Sequence, residues 1–168
     1  RPVAAALDRF QSQRGLLLPD SYRDFALRFG PGELGGLLRL TAPGYPGDDT
    51  LDLAEHDAFM HSGDDGLIQD HGHPELLTSL FYFASTYAGD TLGWDTREFR
   101  DSRHHEYDIY LLPRYKDEGI SHLATNFVGL IDDLLAGRLL PSLMPDERHA
   151  WSVFEPFVVH PDTTGGKS

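Results

Sequence analysis

Apolar residues near the start of the chain recur at the period of a helix. Val3, Ala6, Leu7 and Phe10 fall at i, i+3, i+4 and i+7, which predicts an amphipathic helix ending near Gly15. Beyond Leu16–Leu18 and Pro19, a stripe of Tyr22, Phe25, Ala26 and Phe29 predicts a second helix, with Ser21 as its N-cap and Gly30 as its stop. The run from Gly30 to Gly36 reads as a loop and Leu37–Leu40 as a short strand. A turn-rich segment from Ala42 to Asp49 then leads to a short acidic helix, capped by Thr50 and running through Phe59. Ser62 to Pro74 is polar and reads as a mobile loop.

Aromatic, strand-like segments come next. Leu80–Tyr87 and Thr91–Thr96 flank Ala88-Gly89-Asp90 and predict a hairpin. Tyr107, Ile109 and Leu111 alternate along Glu106–Leu112, a strand that Pro113 ends. The stripe Leu123, Phe127, Leu130, Ile131, Leu134 and Leu135 predicts a helix from about His122 to Ala136, with Gly137 past its end. Trp151, Phe154 and Phe157 are expected to pack back as a short helix or strand, and Thr163–Ser168 to fray. The expected class is α+β: one domain over residues 1–162, with an antiparallel or mixed sheet flanked by helices. Its expected core is Tyr22, Phe25, Phe29, Phe83, Ile109, Leu111, Phe127, Ile131 and Leu134.

Composition supports a packed core: 40% of the 168 residues are hydrophobic, and 10 are Phe, 7 Tyr and 2 Trp. Charge changes the picture more. The net charge is −13, and no Lys or Arg occurs between Leu40 and Thr96. That stretch holds Asp48, Asp49, Asp52, Glu55, Asp57, Asp64, Asp65, Asp70, Glu75, Asp90 and Asp95, so it carries −11 of the −13. Such a balance argues against nucleic acid and against an anionic membrane surface. Like charges this dense are solvated or meet a cationic partner. The partner-facing candidates are Asp48, Asp49, Asp64, Asp65, Asp70, Asp90 and Asp95, with Trp94 as an anchor if it is exposed and a core residue if it is not.

Catalytic chemistry finds little support. With no Cys, disulfides, thiolate nucleophiles and thiolate metal sites are excluded. His71 and His73 form H-x-H beside Asp70 and Glu75, but no third ligand is fixed, so no metal is expected. Gly165-Gly166-Lys167-Ser168 ends like a phosphate loop, yet Pro161 stands where its first glycine belongs. Asp64-Asp65-Gly66 lacks the acids of a calcium loop. No cofactor and no enzymatic activity are expected. No apolar run approaches the ~20 residues of a membrane span, and no basic segment followed by an apolar one opens the sequence. A cytoplasmic location is the expectation.

The order of motifs resembles the SUKH superfamily, the Smi/Knr-type domain. Leu18-Pro19-Asp20-Ser21-Tyr22-Arg23-Asp24-Phe25 is similar to the family's Leu-Pro-x-x-Tyr-x-x-Phe opening. Phe83-Ala84, Gly89-Asp90, Trp94-Asp95, Glu106-Tyr107-Asp108-Ile109-Tyr110 and Ala124-Thr125-Asn126-Phe127 follow in order, then Ile131, Leu134, Leu135 and Gly137. The resemblance spans roughly positions 5 to 137. It implies a single α+β domain without known catalytic activity. Many bacterial members are immunity proteins that bind and neutralise a cognate toxin, often a nuclease, while fungal members are regulatory scaffolds. An immunity protein with a basic toxin as its partner is therefore expected, with a regulatory interaction module as the alternative.

Overall fold

The computed structural model describes residues 4–62, 73–115, 119–139, 143 and 154–157. Among the described residues, five helices accompany one antiparallel sheet of seven strands. The helices are α1 (Ala4–Arg14), α2 (Asp20–Phe29), α3 (Leu53–His61), α4 (Pro74–Ser79) and α5 (Phe127–Leu135). The strands are β1 (Gly32–Leu34), β2 (Leu38–Leu40), β3 (Leu80–Thr86), β4 (Thr91–Asp95), β5 (Ile109–Leu112), β6 (Ser121–Ala124) and β7 (Phe154–Pro156). Their spatial order is β6-β5-β4-β3-β2-β1-β7. The α+β class is as the sequence predicts.

A bulge sets which side chains the sheet buries. Tyr82 pairs with Gly93 and Ala84 with Leu92, leaving Phe83 as an extra residue on β3. Phe81, Phe83 and Ala84 thereby all reach the main core, while Leu80 and Tyr82 belong to a smaller cluster with Leu77 and Leu112. Trp94 stacks on Phe83 with ring centroids 4.2 Å apart and an interplanar angle of 9°. Tyr22 meets Trp94 and Phe127 edge-on at 4.9 and 5.4 Å, geometry that the ring quadrupoles favour. The Tyr22 hydroxyl donates to the Thr41 carbonyl at 2.7 Å, and burial with the nearby Asp52 charge pushes its pKa far up.

Of the expected core, Tyr22, Phe83, Ile109, Leu111, Phe127 and Leu134 are buried, and Phe25 and Ile131 pack against them. Phe29 is 43% exposed, resting on Phe25 and Phe154 at the edge of the cluster.

Three elements differ from expectation. The glycine run does not stay a loop. Gly35 and Gly36 take positive φ and turn β1 back onto β2, with Leu34 opposite Leu38. The last helix begins at Phe127 instead of near His122, because the Asn126 side chain accepts from the Gly129 N–H at 2.7 Å and caps it there. The residues before the cap form β6 on β5. The acidic helix is capped by Asp52, not Thr50. Ser21 likewise caps nothing; its hydroxyl bonds Glu106.

Candidate functional site

Of the partner-facing acids, Asp48 and Asp49 lie on the turn before α3, partly exposed. The Asp48 carboxylate accepts from the Thr50 N–H and hydroxyl, at 2.9 and 2.6 Å, and holds that turn. Asp64, Asp65 and Asp70, together with His71, lie outside the described residues. His73 is exposed at the start of α4.

Asp90, Asp95 and Trp94 are placed inward: the expected partner-facing role of the two acids needs correction, and of the two alternatives for Trp94 the core one holds. Asp90 is 9% exposed and closes the β3–β4 turn: it accepts from the Arg114 N–H at 2.9 Å and from the Thr86 hydroxyl at 3.4 Å. Asp95 is 7% exposed and takes a bidentate fork from Arg97 together with the Ser79 hydroxyl. Burial opposes its ionisation, but the Arg97 and Ser79 hydrogen bonds outweigh that and hold its pKa below the usual value. Trp94 has no exposed surface, because the twisted sheet turns its indole onto Phe83 and Tyr22.

Two further acids of the stretch also serve the interior. Asp52 accepts from four backbone amides: Ala54 and Glu55 at the start of α3, and Gly44 and Tyr45 of the preceding loop. Asp57 accepts from the Tyr82 N–H at 2.9 Å. Strand β2 ends at Leu40, so a side chain takes the place of a strand at that point on β3.

What sequence reasoning missed is a groove on the other face of the sheet. Direct antiparallel partners point to one side, so Arg39, Ser85, Thr91 and Leu112 form a row across β2, β3, β4 and β5. The middle of this row is small and polar. Above it lies a cavity of about 600 Å³, lined also by Asp49, His56, Phe59, Met60, Arg114 and Tyr115. Phe59 is 50% and Tyr115 62% exposed. The Arg39 guanidinium lies over the Tyr87 ring at 5.1 Å from the centroid, and the Tyr87 hydroxyl donates to Glu33. Among these residues only Asp49 stood out in the sequence. Arg39 and Arg114 are 75 positions apart, and only the strand order unites them. A second, polar depression of about 440 Å³ lies between Asp20, Asp24, Arg100, Asp101 and Glu106.

Among the described residues, no three His, Asp or Glu side chains converge as a metal ion would require. No helix among them is long and apolar enough to cross a membrane.

The model of the SMI1 / KNR4 family (SUKH-1) matches residues 3–133. The chain belongs to the SUKH-1 family. No curated protein and no solved structure matches it significantly. Most of the apolar residues by which the sequence resembles SUKH-1 are interior. Leu18, Tyr22, Phe83, Trp94, Ile109 and Phe127 are all buried to within about a hundredth of their surface. Glu106 is buried as well, with its carboxylate turned onto Ser21 and Phe127. In this SUKH-1 protein those apolar residues therefore build the core.

Proposed function

We propose that this SUKH-1 protein is a non-catalytic binding protein that captures and neutralises a cognate, nuclease-like toxin in the cytoplasm. The contact would be made through an acidic face built on Asp48, Asp49, Asp64, Asp65 and Asp70. The observation that carries this reading is the charge pattern: −11 accumulates over a stretch without one Lys or Arg. A nuclease presents a basic surface to nucleic acid, and an acidic protein can occupy that surface. Membership of SUKH-1 agrees with a protein-binding role. The internal roles of Asp90 and Asp95 take those two acids out of the proposed contact, which leaves Asp48, Asp49, Asp64, Asp65 and Asp70.

The test uses a toxin domain encoded beside this gene, where the neighbourhood holds one. Its association rate should fall steeply as salt rises past ~0.15 M, where the Debye length is about 8 Å. Reversing Asp49 to Lys, or Asp64 and Asp65 to Lys, should slow association at an unchanged melting temperature, which shows that the reversed protein is folded. Full protection of cells by the reversed proteins, with unchanged salt dependence, would reduce the acids to a solubilising surface. A gene neighbourhood without any toxin would instead favour a regulatory interaction module.

A further inference from the structure

We infer that the groove over β2–β5 is a second docking site, and that its occupant is an extended peptide segment of a protein partner carrying a carboxylate beside an apolar side chain. The inference goes beyond toxin capture by the acidic face and does not depend on it.

Charge complementarity is the first argument. The protein is strongly acidic and has no cation from residue 41 to 96, yet two guanidinium groups, Arg39 and Arg114, line one cavity. Arginine forks match carboxylates, and a desolvated wall strengthens the match. Arg39 has no ion-pair partner among the described residues. Its cross-strand neighbour Glu33 takes the Tyr87 hydroxyl instead.

The floor and rim supply the second argument. Ser85 and Thr91 separate the arginines with short hydroxyl side chains, and among the described residues the only hydrogen bond of Thr91 Oγ1 goes to the Met60 sulfur at 3.6 Å. Neither fills the space. Gly89 lets the Arg114 side chain lie close over the turn, since a Cβ there would stand 2.9 Å from Arg114 Cδ. The half-exposed rings of Phe59 and Tyr115 suit an apolar side chain of the occupant. Arg39 and the end of β5 are three strand spacings apart, about 14 Å, which an extended peptide crosses in about four residues. Two carboxylates oppose an anionic occupant: Asp49 lines the same cavity, and Glu33 stands directly across from Arg39.

Phage-displayed heptapeptides panned against the wild-type protein and against Arg39→Gln/Arg114→Gln test this. Peptides selected by the wild type should be enriched in Asp or Glu next to Phe, Trp or Leu, and the double variant should not select them. A synthetic copy of a selected peptide should bind about tenfold or more weakly to the double variant, and similarly when its own acid is changed to the amide. Ser85→Leu, which fills the floor and spares both cations, should also block it. Asp49→Asn should tighten binding about two- to fivefold, the opposite of its expected effect on a basic toxin. Selection without acids, equal binding by the double variant at unchanged circular dichroism, or displacement of the peptide by low-millimolar inorganic phosphate would each overturn the assignment. The last of these outcomes would mark a small-anion pocket.

Discussion

Glu106 and Ser21 are 85 positions apart, yet the Glu106 carboxylate accepts from both the N–H and the hydroxyl of Ser21, at 3.2 and 2.5 Å. Its other oxygen accepts from the Phe127 N–H at 3.2 Å. Ser21 is in the first turn of α2, and Phe127 opens α5. One buried side chain therefore supplies an anion to two helix starts, where backbone donors lack partners and the dipole is positive.

Glu106→Gln keeps one good acceptor but turns an NH₂ group towards a backbone donor. We expect a loss of about 1–3 kcal/mol in urea unfolding, with the fold retained. Glu106→Ala should cost at least as much. A change within about 0.5 kcal/mol for both would show that the two helix starts do not need it.

Asp52 makes the same point more locally. Asp52→Asn should cost about 1–3 kcal/mol, because one of its oxygens serves α3 and the other serves the Gly44–Tyr45 loop. Thr50→Ala should stay within about 0.5 kcal/mol, since among the described residues the Thr50 hydroxyl reaches only the Asp48 side chain. Equal losses for the two variants would restore Thr50 as the cap.

The two histidines of α3 oppose each other in pH dependence. Burial holds His56 below its usual 6.5, although the carbonyl of Asp49, which accepts from Nδ1 at 3.2 Å, pulls the other way. Protonation is thus easier in the unfolded chain, and stability should fall as pH drops below ~6.5. His61 is raised, chiefly by its hydrogen bond to the Asp57 carboxylate. Its contribution is complete below ~6.5 and disappears as pH rises through the raised folded value. Melting temperatures between pH 5 and 8 should show His56→Gln gaining on the wild type in acid. His61→Gln should lose ground in acid and converge with the wild type at higher pH. Parallel curves for all three proteins would refute both assignments.

Trp94→Ala should remove about 3–5 kcal/mol of stability, as should Phe127→Ala, because both rings are enclosed. At temperatures where the variant stays folded, its dissociation rate from a partner should match the wild type. A faster dissociation without a lower melting temperature would return Trp94 to the surface.

Legibility followed the range of the determining contact. Helices α1 and α2 and the β3–β4 hairpin were readable because their period or turn lies within the segment itself. Strand β6 was not, because Leu123 sits four residues before Phe127 and extends the helical stripe across the Asn126 cap. Strand β1 was hidden by its glycines, and α4 has only six residues. The acidic stretch was legible as a charge, but the division of labour within it was not. Asp52 carried a local sign, standing three residues before Glu55 at a helix start. Asp57 serves Tyr82, 25 positions on, and nothing near either residue announces it.

The family match ends at residue 133, but β7 lies beyond it and completes the sheet on the outer side of β1. Gly32 makes that contact possible, since a Cβ there would stand 2.4 Å from the Phe154 ring. A fragment trimmed to the matched region would leave β1 as a bare edge next to Phe25 and Phe29, an arrangement prone to pairing with a second copy of itself. The part of the chain that declares its kinship is thus shorter than the part that covers the edge of its sheet.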